Sequence, residues 1–263
     1  MKANTKYIWL ILPVLAIAGT VAAFAGIPAL REAFTGKPPV TAPNLTGSAT
    51  DIKQQAILKE LTTVLHAMDS MYAGTVTGTI SARDLADSSN TLQADFCYTR
   101  SNDIGYYRFG DNEMISLKEA YITIAHDVKK IFLSAPREVV NPMKMPLDIE
   151  AEVIRKEGYQ VQRTSKGPLT EISLLSPTHA TCREYRLSFD STGMIRYSHA
   201  RLTDPSNPEI KERDRILDVT IHSWEKGKVR EDLLKIERYI NLENGAPQPA
   251  AALKGYELLI SKD

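Results

Sequence analysis

From Tyr72 onward, side chains of like polarity recur at every second position, and most stretches that do so are joined by short runs of Gly, Asn, Asp, Ser and Pro. A period of two marks strands. Links this short join only antiparallel neighbours, because a parallel crossover needs about a dozen residues or more. Tyr72, Gly74, Val76, Gly78 and Ile80 share one phase, followed by Leu92, Ala94, Phe96 and Tyr98 in a second run. Further strands are expected at Ile104 to Phe109, Glu113 to Leu117, Tyr121 to Ala125 and Ile131 to Leu133, punctuated by Asn102-Asp103, Gly110-Asp111-Asn112 and His126-Asp127. Tyr159 to Thr164 and Leu169 to Leu175 flank Ser165-Lys166-Gly167-Pro168, while Arg183 to Phe189 and Met194 to Leu202 flank Asp190-Ser191-Thr192-Gly193. Ile216 to Trp224 is a last long strand, and Tyr256 to Ile260 could close the sheet. The expected fold is mainly β with α, about ten or eleven strands in one antiparallel sheet. A sheet this wide curls rather than staying flat, giving a strongly curved sheet or unclosed half-barrel.

Two or three helices are expected to cover that sheet. Between Asp51 and Met71, apolar residues at Ile57, Leu61, Val64, Leu65, Met68 and Met71 fall at spacings of three and four, one stripe of an amphipathic helix. Pro146 at a first helical position and Gly158 just past the end delimit a second helix over Pro146 to Glu157. A short third one is expected between Val229 and Asn241.

The amino terminus is of another kind. Lys2 and Lys6 precede an uncharged run from Tyr7 to Leu30, long enough for a bilayer, which takes about 20 apolar residues. The strongly apolar part, Ile8 to Ile17, is short, and Ala23-Phe24-Ala25 has the small-x-small pattern of a signal-peptidase site, so a cleaved leader is the rival to a retained transmembrane helix. Either way the two lysines stay inside and the remainder is exported. Ala18, Ala22 and Gly26 form a small-residue stripe that would suit a homodimer through the membrane helix. The organisation expected is therefore an anchor or signal segment over 1–34, a flexible linker over 35–50 containing Pro38, Pro39 and Pro43, and an exported β domain over 51–263. The Asn44-Leu45-Thr46 triplet is too short a match to add a glycan to this picture.

Balanced charge, 32 basic against 32 acidic residues, offers no field for a phosphate backbone, so no nucleic-acid partner is expected. His66, His126, His179, His199 and His222 stand singly, without ligand spacing, and neither a nucleophile elbow nor a glycine-rich phosphate loop occurs. No enzyme, metal or cofactor is expected from this set. Gly74-Thr75-Val76-Thr77-Gly78 lies in a strand and reads as a bend or close packing. Cys97 and Cys182 occupy polar phases of their strands, and whether they bridge depends on strand neighbours the sequence does not fix. The charged stretch Asp204 to Arg215 reads as a solvated loop or a partner-docking one.

Aromatic phases supply the candidate ligand-binding residues: Phe96 and Tyr98, Tyr107 and Phe109, and Tyr185, Leu187 and Phe189. On a bent sheet all three sets face one way. They then either line an apolar cavity or fill an ordinary core.

An amino-terminal helix leading into a glycine-punctuated strand, a long meander, a mid-chain helix and a second meander carrying Phe189-Asp190-Ser191-Thr192-Gly193-Met194-Ile195 resembles the LolA/LolB lipoprotein-carrier superfamily, from about Asp51 to Lys262. Ile221, Trp224 and Tyr239-Ile240-Asn241 fit the same plan. The resemblance implies a half-barrel whose concave apolar face, lidded by helices, receives the acyl chains of a lipid or lipoprotein. Soluble carriers of that family are released into the periplasm, whereas a retained anchor would tether this chain to the inner membrane through residues 7–30, and the family's lid-latching arginine has no assignable counterpart here. The function expected is a membrane-tethered periplasmic binder of acyl chains, non-catalytic. The alternative is a structural or sensor subunit of a cell-envelope machine, with an envelope protein as partner. Intact-mass measurement of the protein from fractionated cells is expected to find the chain in the membrane with residues 7–30 retained; a soluble periplasmic form starting at Gly26 overturns the anchor.

Overall fold

The computed structural model describes residues 49–69, 71–137, 154, 156–243 and 245–261. The expected membrane segment, nearly all of the linker and most of the expected helix Pro146 to Glu157 lie outside the described residues. Among the described residues no helix is long and apolar enough to cross a membrane. One α-helix, α1 (Ala49–Asp69), opens the described chain two residues ahead of expectation. Ile154 and Lys156 are helical, and behind them Gly158 takes φ 72° while the Tyr159 N–H donates to the Ile154 carbonyl at 3.0 Å. That is the Schellman closure in which glycine relieves the left-handed position.

Among the described residues fourteen strands follow: β1 (Ala73–Asp84), β2 (Thr91–Ser101), β3 (Ile104–Phe109), β4 (Asn112–Ser116), β5 (Tyr121–Ala125), β6 (Lys130–Ser134), β7 (Gln160–Lys166), β8 (Leu169–Leu175), β9 (Cys182–Phe189), β10 (Ile195–Leu202), β11 (Arg215–Lys226), β12 (Ile240–Glu243), β13 (Ala246–Pro249) and β14 (Glu257–Ile260). Twelve form one sheet in the order β14-β6-β5-β4-β3-β2-β1-β11-β10-β9-β8-β7, and β12 pairs only with β13. Ten or eleven strands is thus an undercount. The expected third helix is replaced by two 3-10 turns, Glu231–Leu234 and Ile236–Arg238. Two meanders spread outward from a central antiparallel pair, β1 with β11, whose pairing runs from Gly74↔Lys226 to Asp84↔Arg215. The last strand adds to β6 in parallel, so it extends one edge without closing the sheet.

Curvature is legible from the packing. One cluster joins Ile57, Leu58, Leu61, Val64 and Leu65 of α1 to Phe96 on β2 and Ile172 on β8. Those strands are five places apart, about 24 Å along a flat sheet at roughly 4.8 Å per strand. Residues of β2 to β8 and the stripe of α1 thus form one continuous apolar layer on this face. The bend is built at Gly78, which lies opposite Phe96 on β2 and opposite Ile221 on β11. A Cβ there would sit 2.2 Å from the Thr220 carbonyl oxygen and 2.5 Å from the Phe96 ring. Beside it the β1/β11 register slips by one residue, so His222 is the extra residue of a bulge that sharpens the local twist.

The two faces are covered differently. On the concave face α1 packs over strands from both meanders. On the convex face, Cys97, Tyr106, Ile115, Ile122, Ile124 and Ile131 of β2 to β6 are buried under Leu233, Tyr239, Ile240 and Leu253 of the carboxy-terminal segment. Cys97, expected on a polar phase, is therefore buried: the phase is exposed at Gln93 and Asp95 and covered only from Cys97 onward. Cys97 and Cys182 are both free, on strands separated by β1, β11 and β10, too far apart for a disulfide.

The stretch Asp204 to Arg215 is not simply solvated. Asp214 is 0% exposed and takes Arg183 Nε at 3.0 Å and Arg201 Nε at 2.6 Å. Arg183, itself buried, also donates to the carbonyls of Pro177 and Pro208, so a charged pair ties two loops to the end of β9.

Gly78→Ala is expected to cost about 3 kcal/mol, the upper range of an overpacked core, because both obstacles are fixed. Gly167→Ala, at φ 60° with nothing near its Cβ, is expected to cost about 1 kcal/mol from backbone strain alone. Urea unfolding of the two variants checks the order.

Candidate functional site

The seven aromatic and aliphatic residues singled out in the sequence fall on one side of the sheet. Phe96 lies opposite Phe109 and Tyr98 opposite Tyr107 across β2/β3, while Tyr185 faces Leu174 and Leu187 faces Ile172 across β8/β9. Phe96, Tyr98, Tyr107, Phe109, Leu187 and Phe189 are buried members of the cluster under α1, and half-buried Tyr185 packs against it. Phe96 and Tyr107 meet with centroids 6.5 Å apart and planes tilted by 52°. Burial alone pushes the Tyr107 phenol far above its ordinary value, and burial first, then Cys182, does the same to Tyr185. Neither will ionise in a physiological range. The face is apolar in chemistry as well as composition.

α1 is held over this face by grease more than by charge. Its five buried aliphatic side chains are worth about 1.5–3 kcal/mol each. Among the described residues, the ion pair from helix to sheet, Arg163 Nε to Glu60 Oε2 at 2.8 Å with Nη2 to Oε1 at 3.1 Å, lies at the rim with side chains 40% and 34% exposed. Such an exposed pair contributes about 1 kcal/mol or less.

Across the sheet, a single register row crosses the concave face: Leu259, Phe132, Thr123, Met114, Tyr107, Tyr98, Val76 and Trp224, each opposite the next. Burial falls along it from Val76 at 0% exposure, through Tyr98 and Tyr107, to Phe132 at 42%. The first meander's outer strands thus carry the concave face out from under α1. There a depression of about 670 Å³ is lined by Thr123, Phe132, Ser134, Leu259 and Arg137 among others. The residues of this row beyond Tyr107 are absent from the sequence-based set. Two-residue turns after β2 and β3 would have extended the register as far as Met114, but Leu259 joins through a parallel pairing that no turn announces.

The convex side of β7 to β11 and β1 carries polar side chains that bond one another. Asp218 accepts from the Tyr197 hydroxyl and lies 2.8 Å from His199 Nδ1, Thr79 donates to Asp95 at 2.9 Å and meets His222 Nε2 at 2.8 Å, and Lys166 pairs with Glu171 at 2.8 Å. On the convex side of the first meander, His126 bridges Glu113 Oε1 at 2.7 Å and the Tyr256 hydroxyl at 2.8 Å, fastening the approach to β14. Among the described residues no group of three or more His, Cys, Asp or Glu is placed to hold a metal ion.

The sequence matches no family model, and no curated protein is significantly similar to it. Similar solved structures include an uncharacterized conserved protein from Thermus thermophilus, 9% identical, covering 80% of this chain and 99% of that one at a TM-score of 0.40. A LolA superfamily protein from Nitrosomonas europaea is 7% identical over 69% of this chain and 97% of its own, TM-score 0.31. An outer membrane lipoprotein-sorting protein domain from Vibrio parahaemolyticus is 7% identical over 71% and 97%, TM-score 0.28.

Phe96→Ala is expected to cost about 3–5 kcal/mol, the range for truncating a buried aromatic. Gln93→Ala, three residues away on the exposed opposite phase, is expected to leave the unfolding midpoint unchanged in the same denaturant titration.

Proposed function

We propose that this protein is a non-catalytic binder of acyl chains, tethered or released in the periplasm, that takes its ligand on the concave face by exchanging the apolar stripe of α1 for lipid. The observation that supports it is the gradient of burial along one apolar register row, sealed beneath α1 at its centre and open at Phe132. A lid held by aliphatic contacts is replaceable by another aliphatic surface, since each buried CH₂ of an acyl chain returns about 0.8 kcal/mol. A polar or covalent closure would not be exchangeable in this way. Phe96, Tyr98, Tyr107, Phe109, Tyr185, Leu187 and Phe189 then serve as the surface that is uncovered. A second reading, a ligand-free structural subunit of an envelope assembly, draws on the close packing of Phe96 on Tyr107 and the near-complete burial of six of the seven residues.

A fluorescent fatty acid titrated into the full chain separates the two. Wild type is expected to bind. Arg163→Glu, which turns the rim pair into a repulsion, is expected to speed uptake several-fold while costing about 1 kcal/mol or less in stability, and the charge swap Glu60→Arg with Arg163→Glu is expected to restore the wild-type rate. No binding by wild type and no change on loosening the rim pair would leave the structural reading standing.

A further inference from the structure

The depression at the β5/β6/β14 end of the concave face differs from the sealed centre in one respect, a cation. Its apolar lining includes Phe132 and Leu259, neighbours in the parallel β6/β14 register, together with Leu133, Ala135, Pro136 and Ile260, and Thr123 lies opposite Phe132 on β5. Its wall is the segment from Ser134 to Arg137, which turns back across the concave face. Two contacts fix that wall: the Ser116 hydroxyl donates to the Arg137 carbonyl at 2.6 Å, and the Arg137 guanidinium carbon lies 4.2 Å from the centroid of the Tyr121 ring. Tyr121 and Ser116 are opposite each other on β5 and β4, so the arginine is seated on the sheet itself. Among the described residues that line the depression, Arg137 is the one charged side chain; the polar remainder are hydroxyls. A guanidinium spread on an aromatic face keeps its N–H donors free at the edge for a carboxylate or phosphate.

Resting on the acyl-binding reading above, we infer that this depression is the head-group station of the site: an acyl amphiphile with an anionic head lies with its chain along Phe132 and Leu259 toward Met114 and Tyr107, and its head on Arg137. The charge match selects the ligand class. A neutral ester or alcohol would leave the cation unanswered, and a cationic head would be repelled. The volume, about 670 Å³, lies within the roughly 300–1,000 Å³ of small-molecule sites. Burial along the row gives the chain a direction, from the half-exposed Phe132 inward.

The full chain is titrated with a fluorescent sixteen-carbon fatty acid, its methyl ester and the lysophosphatidate of the same chain length, following fluorescence and thermal unfolding together. Wild type is expected to favour the two anions over the ester by at least about tenfold, roughly 1.4 kcal/mol. Arg137→Gln is expected to erase that preference while leaving ester binding unchanged. Phe132→Glu, at a position exposed enough to keep the fold, is expected to weaken all three ligands at least about tenfold with an unchanged unfolding midpoint. Preference for lysophosphatidate alone supports the station and identifies the head as phosphate, and equal preference for both anions supports it with charge as the sole criterion. Equal binding of acid and ester by wild type, or a preference that survives Arg137→Gln, overturns the station while the acyl-binding reading stands. Absence of binding for every ligand removes both.

Discussion

The ring of Phe96 lies across Gly78 at the centre of the sheet, and the rest of the architecture follows from that contact. With no Cβ at position 78, an aromatic side chain from β2 and the backbone of β11 approach β1 within distances that any other residue would block. The register slip beside it and the bulged His222 turn the close approach into a bend. Bending gives the sheet an inside. Strands as far apart as β2 and β8 then join the stripe of α1 in one apolar layer.

An open sheet of twelve strands has more surface than one helix can cover, and three different solutions divide it. α1 seals the centre of the concave face with aliphatic side chains. The carboxy-terminal segment, running through two 3-10 turns and the β12/β13 hairpin to β14, seals the convex face of the first meander. On the convex face of the second meander, polar side chains satisfy one another in exposed or half-exposed ladders such as Tyr197, Asp218 and His199. Surface pairs of this kind contribute little to stability. They make a cover unnecessary. Asp214 with Arg183 is the exception, a buried charged pair whose geometry supports two loops and whose removal would strand the arginine.

What the three solutions leave over is the outer end of the concave face, where Phe132 and Leu259 extend the apolar row past the reach of α1 and Arg137 supplies a charge. The sealed centre and the half-open end are parts of one row, related by continuous register rather than by separate elements. An amphiphile has the same two-part character. In this reading the lid and the head-group station act in sequence on one ligand, the first by apolar exchange and the second by charge.

Alternation alone located the strands, with Tyr121 to Ala125 and Leu169 to Leu175 coinciding with β5 and β8, because a period of two is imposed locally by the pleat and needs no partner to be visible. The same alternation placed all seven candidate residues on a common side, and the i, i+3, i+4 stripe of α1 announced its buried face. The β12/β13 hairpin escaped because Pro247 and Pro249 argue against a strand in a short polar stretch, and two-stranded pairing off the main sheet tolerates them. Covering is where local reading stopped. Cys97 sits in a polar phase yet is buried, and Asp214 sits in a charged loop yet is wholly enclosed, because what lies over each is brought from elsewhere in the chain. The parallel docking of β14 on β6, and with it the floor of the depression at Phe132 and Leu259, was likewise decided only in three dimensions, by a pairing across more than a hundred residues that leaves no periodic trace in either partner.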